Sequence, residues 1–175
     1  MKMPNLVLIG FMGTGKTTVG KKLAKALGMR FIDTDHEIER VTGMTVNQIF
    51  RKYGEVRFRS EEKAAVRRIT REGNHVIATG GGVILDPENV CMLKQSGVVI
   101  CLSASPEVIY RRLSRKRNRP LLRTENPMEA IISLLEQRQP LYRCADFTID
   151  TSGLGLDEVV AEAVRVYRVR TSEDT

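Results

Sequence analysis

Along the chain, short runs in which every position is apolar alternate with stretches in which apolar residues recur every three or four positions. The first pattern is that of a strand buried on both faces, the second that of an amphipathic helix. Asn5 to Gly10 is an apolar run closed by glycine, and Lys16 to Leu27 follows with apolar residues at Val19, Leu23, Ala26 and Leu27 and a stop at Gly28. Phe31 and Ile32 lead into Asp33 as a second short strand. A polar helical region runs from about His36 to Arg71, interrupted near Thr42 to Thr45, with Gly54 as a candidate second break. His75 to Ala78 is a third strand, ending in Gly80, Gly81 and Gly82. Pro87 opens a helix to about Gln95, and Val98 to Leu102 is a fourth strand. Pro106 opens a helix that runs into a basic segment and Pro127 opens another to about Arg143. Phe147 to Ile149 is a fifth strand, and Leu156 to Arg168 is a final amphipathic helix.

Strands alternating with helices across short connections predict right-handed crossovers, and so an α/β fold: a three-layer α/β/α arrangement around a five-stranded parallel sheet. The 175 residues suit one domain, 1–175. No apolar stretch approaches the roughly 18 residues that span a bilayer, so no membrane role is expected. No small-residue cleavage site follows the first apolar run, and the mature chain is expected to start at Met1. Cys91, Cys101 and Cys144 are an odd number without C-x-x-C spacing, which suits reduced thiols and a cytoplasmic location.

Charge changes the picture in one place. The net charge is +7, and the segment from Arg111 to Arg123 holds seven basic residues and no acid, leaving 21 bases against 21 acids elsewhere. The excess is therefore local. It reads as a loop that meets a compact polyanion such as a nucleoside triphosphate, as a nucleic-acid patch, or as a solvated loop.

The sequence from Gly10 through Gly15, Lys16 and Thr17 satisfies G-x-x-x-x-G-K-[ST], after a buried strand and before a helix. Glycines let successive backbone N–H groups converge on phosphate oxygens at a helix N-terminus. Lys16 can reach the β- and γ-phosphates, and the Thr17 hydroxyl can ligate Mg²⁺. Asp33 and Asp35 follow the second strand, where a period of two would set both carboxylates on one side, roughly 7 Å apart. One suits a metal and the other a substrate hydroxyl, as phosphoryl transfer requires; equally, Thr34 or Asp35 can cap the next helix. The Gly80–Gly82 run lies where open α/β sheets bind ligands, beyond a strand's carboxyl end, and also suits a tight turn. On spacing alone, Arg59 and Arg138 are ordinary helix arginines.

Taken together, these residues resemble the shikimate kinases, of the nucleoside monophosphate kinase-like P-loop fold, over nearly the whole chain. The similarity is carried by Gly10 to Thr18, Asp33-Thr34-Asp35, Phe58-Arg59, Ala78 to Gly82, Arg119-Pro120-Leu121-Leu122, and Arg138 to Tyr142. Thr14 stands where that family often has alanine, Thr17 where serine is common, and Gln137 where an acid often precedes the arginine.

The resemblance implies transfer of the γ-phosphoryl of ATP to the 3-hydroxyl of shikimate, with Mg²⁺, in the chorismate route to aromatic amino acids. It implies that Gly13, Thr14, Gly15, Lys16, Thr17 and Thr18 hold the nucleotide, that Thr17 and Asp33 serve the metal, and that Asp35 holds and orients the acceptor hydroxyl. Arg59, Arg138 and Gly80 to Gly82 would bind shikimate. Arg119 would reach from a lid, 111–124, over the γ-phosphate, and Arg112 would lie near adenine. A subregion, 33–62, would carry the substrate. The implied protein is a cytoplasmic monomer acting on small molecules, with no nucleic-acid partner. The rival readings are a related kinase for gluconate or a nucleoside monophosphate, and a nucleotide-gated nucleic-acid-binding protein.

Overall fold

The computed structural model describes residues 3–115 and 124–173. Five strands, β1 (Asn5–Ile9), β2 (Arg30–Asp33), β3 (His75–Ala78), β4 (Gly97–Ser103) and β5 (Phe147–Asp150), form one sheet in the order β2-β3-β1-β4-β5. Every pairing is parallel, with Leu6 opposite Val76 on one side and Val98 on the other. The expected three-layer sheet is therefore present, with β1 at its centre.

Alternation along β1 divides the core between two faces. Leu6 and Leu8 point to one side, packing with Val76, Ile100 and Leu102 against helices α1 (Lys16–Leu27) and α7 (Leu156–Glu173) through Val19, Leu23, Ala163 and Tyr167. Val7 and Ile9 point to the other, joining Ile77, Val99 and Cys101 under Val66 and Ile69 of α3 (Val46–Ile69) and Leu93 of α4 (Pro87–Ser96). A strand whose two faces are both covered has no polar face, which is why these runs read as continuously apolar. Gly20 keeps α1 close to the sheet: a Cβ there would stand 2.6 Å from the Phe31 ring.

Three helices lie toward the carboxyl ends of the strands: α2 (Thr34–Thr42), α5 (Pro106–Ser114) and α6 (Pro127–Tyr142). Short α2 and long α3 join through Gly43 and a capping box in which Thr45 Oγ1 accepts from the Gln48 N–H and Gln48 Oε1 from the Thr45 N–H. The interruption expected at Thr42 to Thr45 is this junction. Gly54 breaks α3 as anticipated, with φ 79° and ψ −179° inside an otherwise helical run. One expectation needs correction. Asp33 ends β2 and Asp35 already lies in the first turn of α2, so the pair does not follow strand period, and the helix cap is Asp33 rather than Thr34 or Asp35.

Candidate active site

The loop between β1 and α1 is held open by glycine geometry. Gly10, Gly13 and Gly15 all take positive φ, which side-chain-bearing residues rarely adopt, and an added Cβ at Gly10 would collide with the Leu102 carbonyl oxygen. Thr14 is buried and its hydroxyl donates to the Phe11 carbonyl at 2.8 Å, bracing the loop from inside. Lys16 bends back over the same loop, its Nζ donating to the carbonyls of Gly10 at 2.7 Å and Phe11 at 3.0 Å. The ammonium is thus held against the loop that leads into α1, whose N-terminal dipole end favours an anion.

The neighbouring strand ends bring up the carboxylates. Asp33 divides its two oxygens: Oδ1 caps α2 by accepting from the Asp35 N–H at 3.1 Å, and Oδ2 accepts from the Thr17 hydroxyl at 3.0 Å. The cap that the sequence offered to Thr34 or Asp35 thus falls to Asp33, whose other oxygen meets Thr17. Asp35 faces Gly80, where a Cβ would stand 2.6 Å from its Oδ1. The Thr34 hydroxyl accepts from the Gly80 N–H at 2.8 Å and ties the two loops together.

The glycine run is where distant helices converge. Arg138 of α6 donates from Nη1 to the Gly81 carbonyl at 2.9 Å and lies 5.8 Å above the Phe11 ring. Arg59 of α3 lies against Gly82, where a Cβ would collide with both Nη1 and Nη2. Two helix arginines, unremarkable in spacing, therefore flank the same three residues. The run does turn the chain as well, Gly82 capping a single 3₁₀ turn, Val83–Leu85.

Two acids that sequence reasoning passed over hold Arg59. Glu62, buried, accepts from Nη1 at 2.9 Å; Glu55, exposed, accepts from Nε at 3.2 Å and Nη2 at 3.1 Å. Burial works against the charge on Arg59, but the Glu62 and Glu55 carboxylates outweigh it and raise its pKa. On Glu62 burial dominates and pushes the carboxyl up, opposed by Arg59 and reinforced by the Asp35 and Asp86 carboxylates. The spacings, three residues after and four before Arg59, are those of helical ion pairs and were the signal available.

One cavity of about 600 Å³ takes in Gly13 to Thr18, Asp33, Asp35, Gly80, Gly81 and Arg112 together with Thr151, Leu154, Leu156 and Val159, and Arg138 adjoins it through the Gly81 carbonyl. Arg112 is fixed there by donating to Thr151 Oγ1 and the Thr151 carbonyl, each at 2.9 Å, and to the Gly13 carbonyl at 3.3 Å. Thr151 has no motif around it, and its contact with Arg112 spans 39 positions, so local reading had nothing to find. Arg119 and most of the expected lid, 111–124, lie outside the described residues.

A glycine-rich G-K-T loop at a helix N-terminus, an acidic pair at a neighbouring strand end and two arginines meeting a glycine run at another define a P-loop phosphotransferase fold. Comparison with known proteins narrows this. The family model described as Shikimate kinase matches residues 12–168. A shikimate kinase of Caldanaerobacter subterraneus subsp. tengcongensis is 55% identical over 94% of this chain and 96% of its own. One from Thermodesulfovibrio yellowstonii is 54% identical over 94% and 95%. Among solved structures, shikimate kinase from Acinetobacter baumannii in complex with shikimate superposes with a TM-score of 0.89 at 43% identity, covering 96% of this chain and 94% of that one. The Aquifex aeolicus enzyme gives 0.80 at 32% identity, covering 95% and 97%. The chain belongs to the shikimate kinase family.

Proposed function

We propose that this chain transfers the γ-phosphoryl group of ATP to the 3-hydroxyl of shikimate, giving shikimate 3-phosphate and ADP. The observation that carries the reading is the convergence of Arg59, Arg138 and Asp35 on Gly80 to Gly82, of which Gly80 and Gly81 line, with Asp35, the cavity that also takes in the phosphate loop. Guanidinium forks suit a planar carboxylate, and a carboxylate suits hydroxyls, so the pocket matches a hydroxylated ring acid. The relative from Acinetobacter baumannii, solved with shikimate, supports the same assignment.

In this reading the N–H groups from Gly13 to Thr18 and the Lys16 ammonium cradle the phosphates, Lys16 exchanging its loop carbonyls for them. Asp35 binds the ring hydroxyl, aims it at the γ-phosphorus and accepts its proton. Arg59 and Arg138 hold the carboxylate, and the three glycines bring the backbone close to the ring. Arg112 closes the adenine end with Leu154 and Leu156. Arg119 is assigned to the γ-phosphate and 111–124 to the lid on the family resemblance alone. The helices within 33–62 form the acceptor-binding part of a single domain.

Thr17 Oγ1 and Asp33 Oδ2, 3.0 Å apart, are hard oxygen donors of the kind Mg²⁺ takes, and two protein oxygens suit an ion that arrives with the nucleotide's phosphates. When bound, Mg²⁺ neutralises charge shared by the β- and γ-phosphates. On the family resemblance the protein is taken to act as a monomer. All three cysteines are free thiols, which suits the cytoplasm, and no helix among the described residues is long and apolar enough to cross a membrane.

The test is ADP formation from MgATP with and without shikimate, gluconate, quinate and nucleoside monophosphates. A large stimulation by shikimate alone is expected. Stimulation by another acceptor keeps the kinase and rejects the acceptor, while steeply salt-dependent RNA binding without stimulation favours the binding-protein alternative.

A further inference from the structure

Arg59 has no free edge. Its side-on edge, Nε and Nη2, is taken by Glu55 Oε1; Nη1 donates to Glu62; and the end of the fork points at the Cα of Gly82, where an added Cβ would meet both terminal nitrogens. A guanidinium has five N–H donors in a fixed plane, so an incoming carboxylate must take a place already held.

The two acids differ in what it takes to move them. Glu62, on the buried face of α3, has no solvent to return to. Glu55 is 65% exposed and engages Arg59 through a single oxygen. It also sits immediately after Gly54, whose φ of 79° and ψ of −179° start the second half of α3 afresh. Released from Arg59, the Glu55 carboxylate stays within the first turn of that half-helix, where freed N–H groups favour an anion.

We infer that Glu55 is a stand-in for the substrate carboxylate: it occupies the bidentate edge of Arg59 until the acceptor's carboxylate displaces it. This rests on the assignment of Arg59 to the acceptor carboxylate. Glu55 then sets specificity as well as affinity. A ring ligand without a carboxylate has nothing to exchange for it and meets an Arg59 that is already satisfied, while the wild-type enzyme binds its acid more weakly than Arg59 alone would allow.

The experiment is calorimetric binding of shikimate, with ATP as reference ligand, to wild type, Glu55→Gln, Glu55→Ala, Arg59→Ala and the Glu55→Gln/Arg59→Ala double variant. An exposed ion pair converts to about a two- to fivefold change in affinity. Both Glu55 variants are therefore expected to bind shikimate about two- to fivefold more tightly with ATP binding unmoved, and the gain shrinks in the Arg59→Ala background. Unchanged or weaker shikimate binding in both Glu55 variants, with Arg59→Ala still impaired, overturns the stand-in role and leaves the assignment of Arg59 standing. Unaltered shikimate binding in Arg59→Ala overturns both.

Discussion

At Gly82 the missing side chain is what lets the Arg59 guanidinium lie against the backbone, since a Cβ would occupy the space of Nη1 and Nη2. Gly82→Ala is therefore expected to push Arg59 away from the acceptor pocket and raise the KM for shikimate about ten- to a hundredfold, with the KM for ATP little changed. Steady-state kinetics with each substrate varied in turn checks this. Asp35 tests the chemistry rather than the fit. Asp35→Asn keeps the shape facing Gly80 but cannot accept a proton, so turnover is expected to collapse by about 10²–10⁴-fold while ATP still binds; near-normal turnover would refute the role. Legibility differs sharply between these residues. Lys16 and Thr17 follow from a local motif whose chemistry is written in consecutive positions. Arg59 and Arg138 are 79 positions apart on separate helices, so only the family resemblance singled them out, and the fold had to be built before their meeting at the glycines was visible.

Elements set where those side chains arrive. The break in α3 was legible from a single glycine, but its consequence was not: it divides the helix so that Glu55 and Arg59 fall on the half that reaches the glycine run. Nothing lies within 4 Å of a Cβ placed at Gly54, so a substitution there meets only backbone strain. Gly54→Ala is expected to cost about 1–3 kcal/mol of stability, read as a lower denaturation midpoint at unchanged m-value. Boundaries were less legible than elements. The start of α2 moved to Thr34 because Asp33, read as a strand residue that serves the metal, also supplies the cap. Propensity cannot reveal a carboxylate that serves two partners, since the second, Thr17, lies on another element.

Across the whole molecule, the strand count, the parallel sense of the sheet and its two covered faces followed from apolar runs and glycine punctuation, whereas the strand order did not. The far wall of the nucleotide cavity did not, being made by residues from the last segment of the chain. Opposite the site, at the amino end of β3, His75 is buried with its Nδ1 unpartnered, and its backbone N–H donates to Asn5 Oδ1 at 3.0 Å. Burial and then the Arg30 charge lower its pKa below the ordinary value, Glu72 opposing. The folded protein therefore resists protonating His75 more than the unfolded chain does. Its contribution is complete above the unfolded pKa of about 6.5 and is lost as pH falls below that value toward the folded pKa. Thermal midpoints followed from pH 7.5 down to 5.5 are expected to fall further in wild type than in His75→Gln; parallel curves would remove His75 from the account.

The cavity wall from Thr151 to Val159 belongs to the final segment, and the last helix is anchored to the first strand's approach, Tyr167 Oη donating to the Pro4 carbonyl at 2.6 Å. During synthesis the phosphate loop leaves the ribosome well before Thr151, which fixes Arg112. A growing chain thus carries the phosphate motif for a long stretch of translation before the wall from Thr151 to Val159 exists. The cavity is a product of chain order as much as of fold.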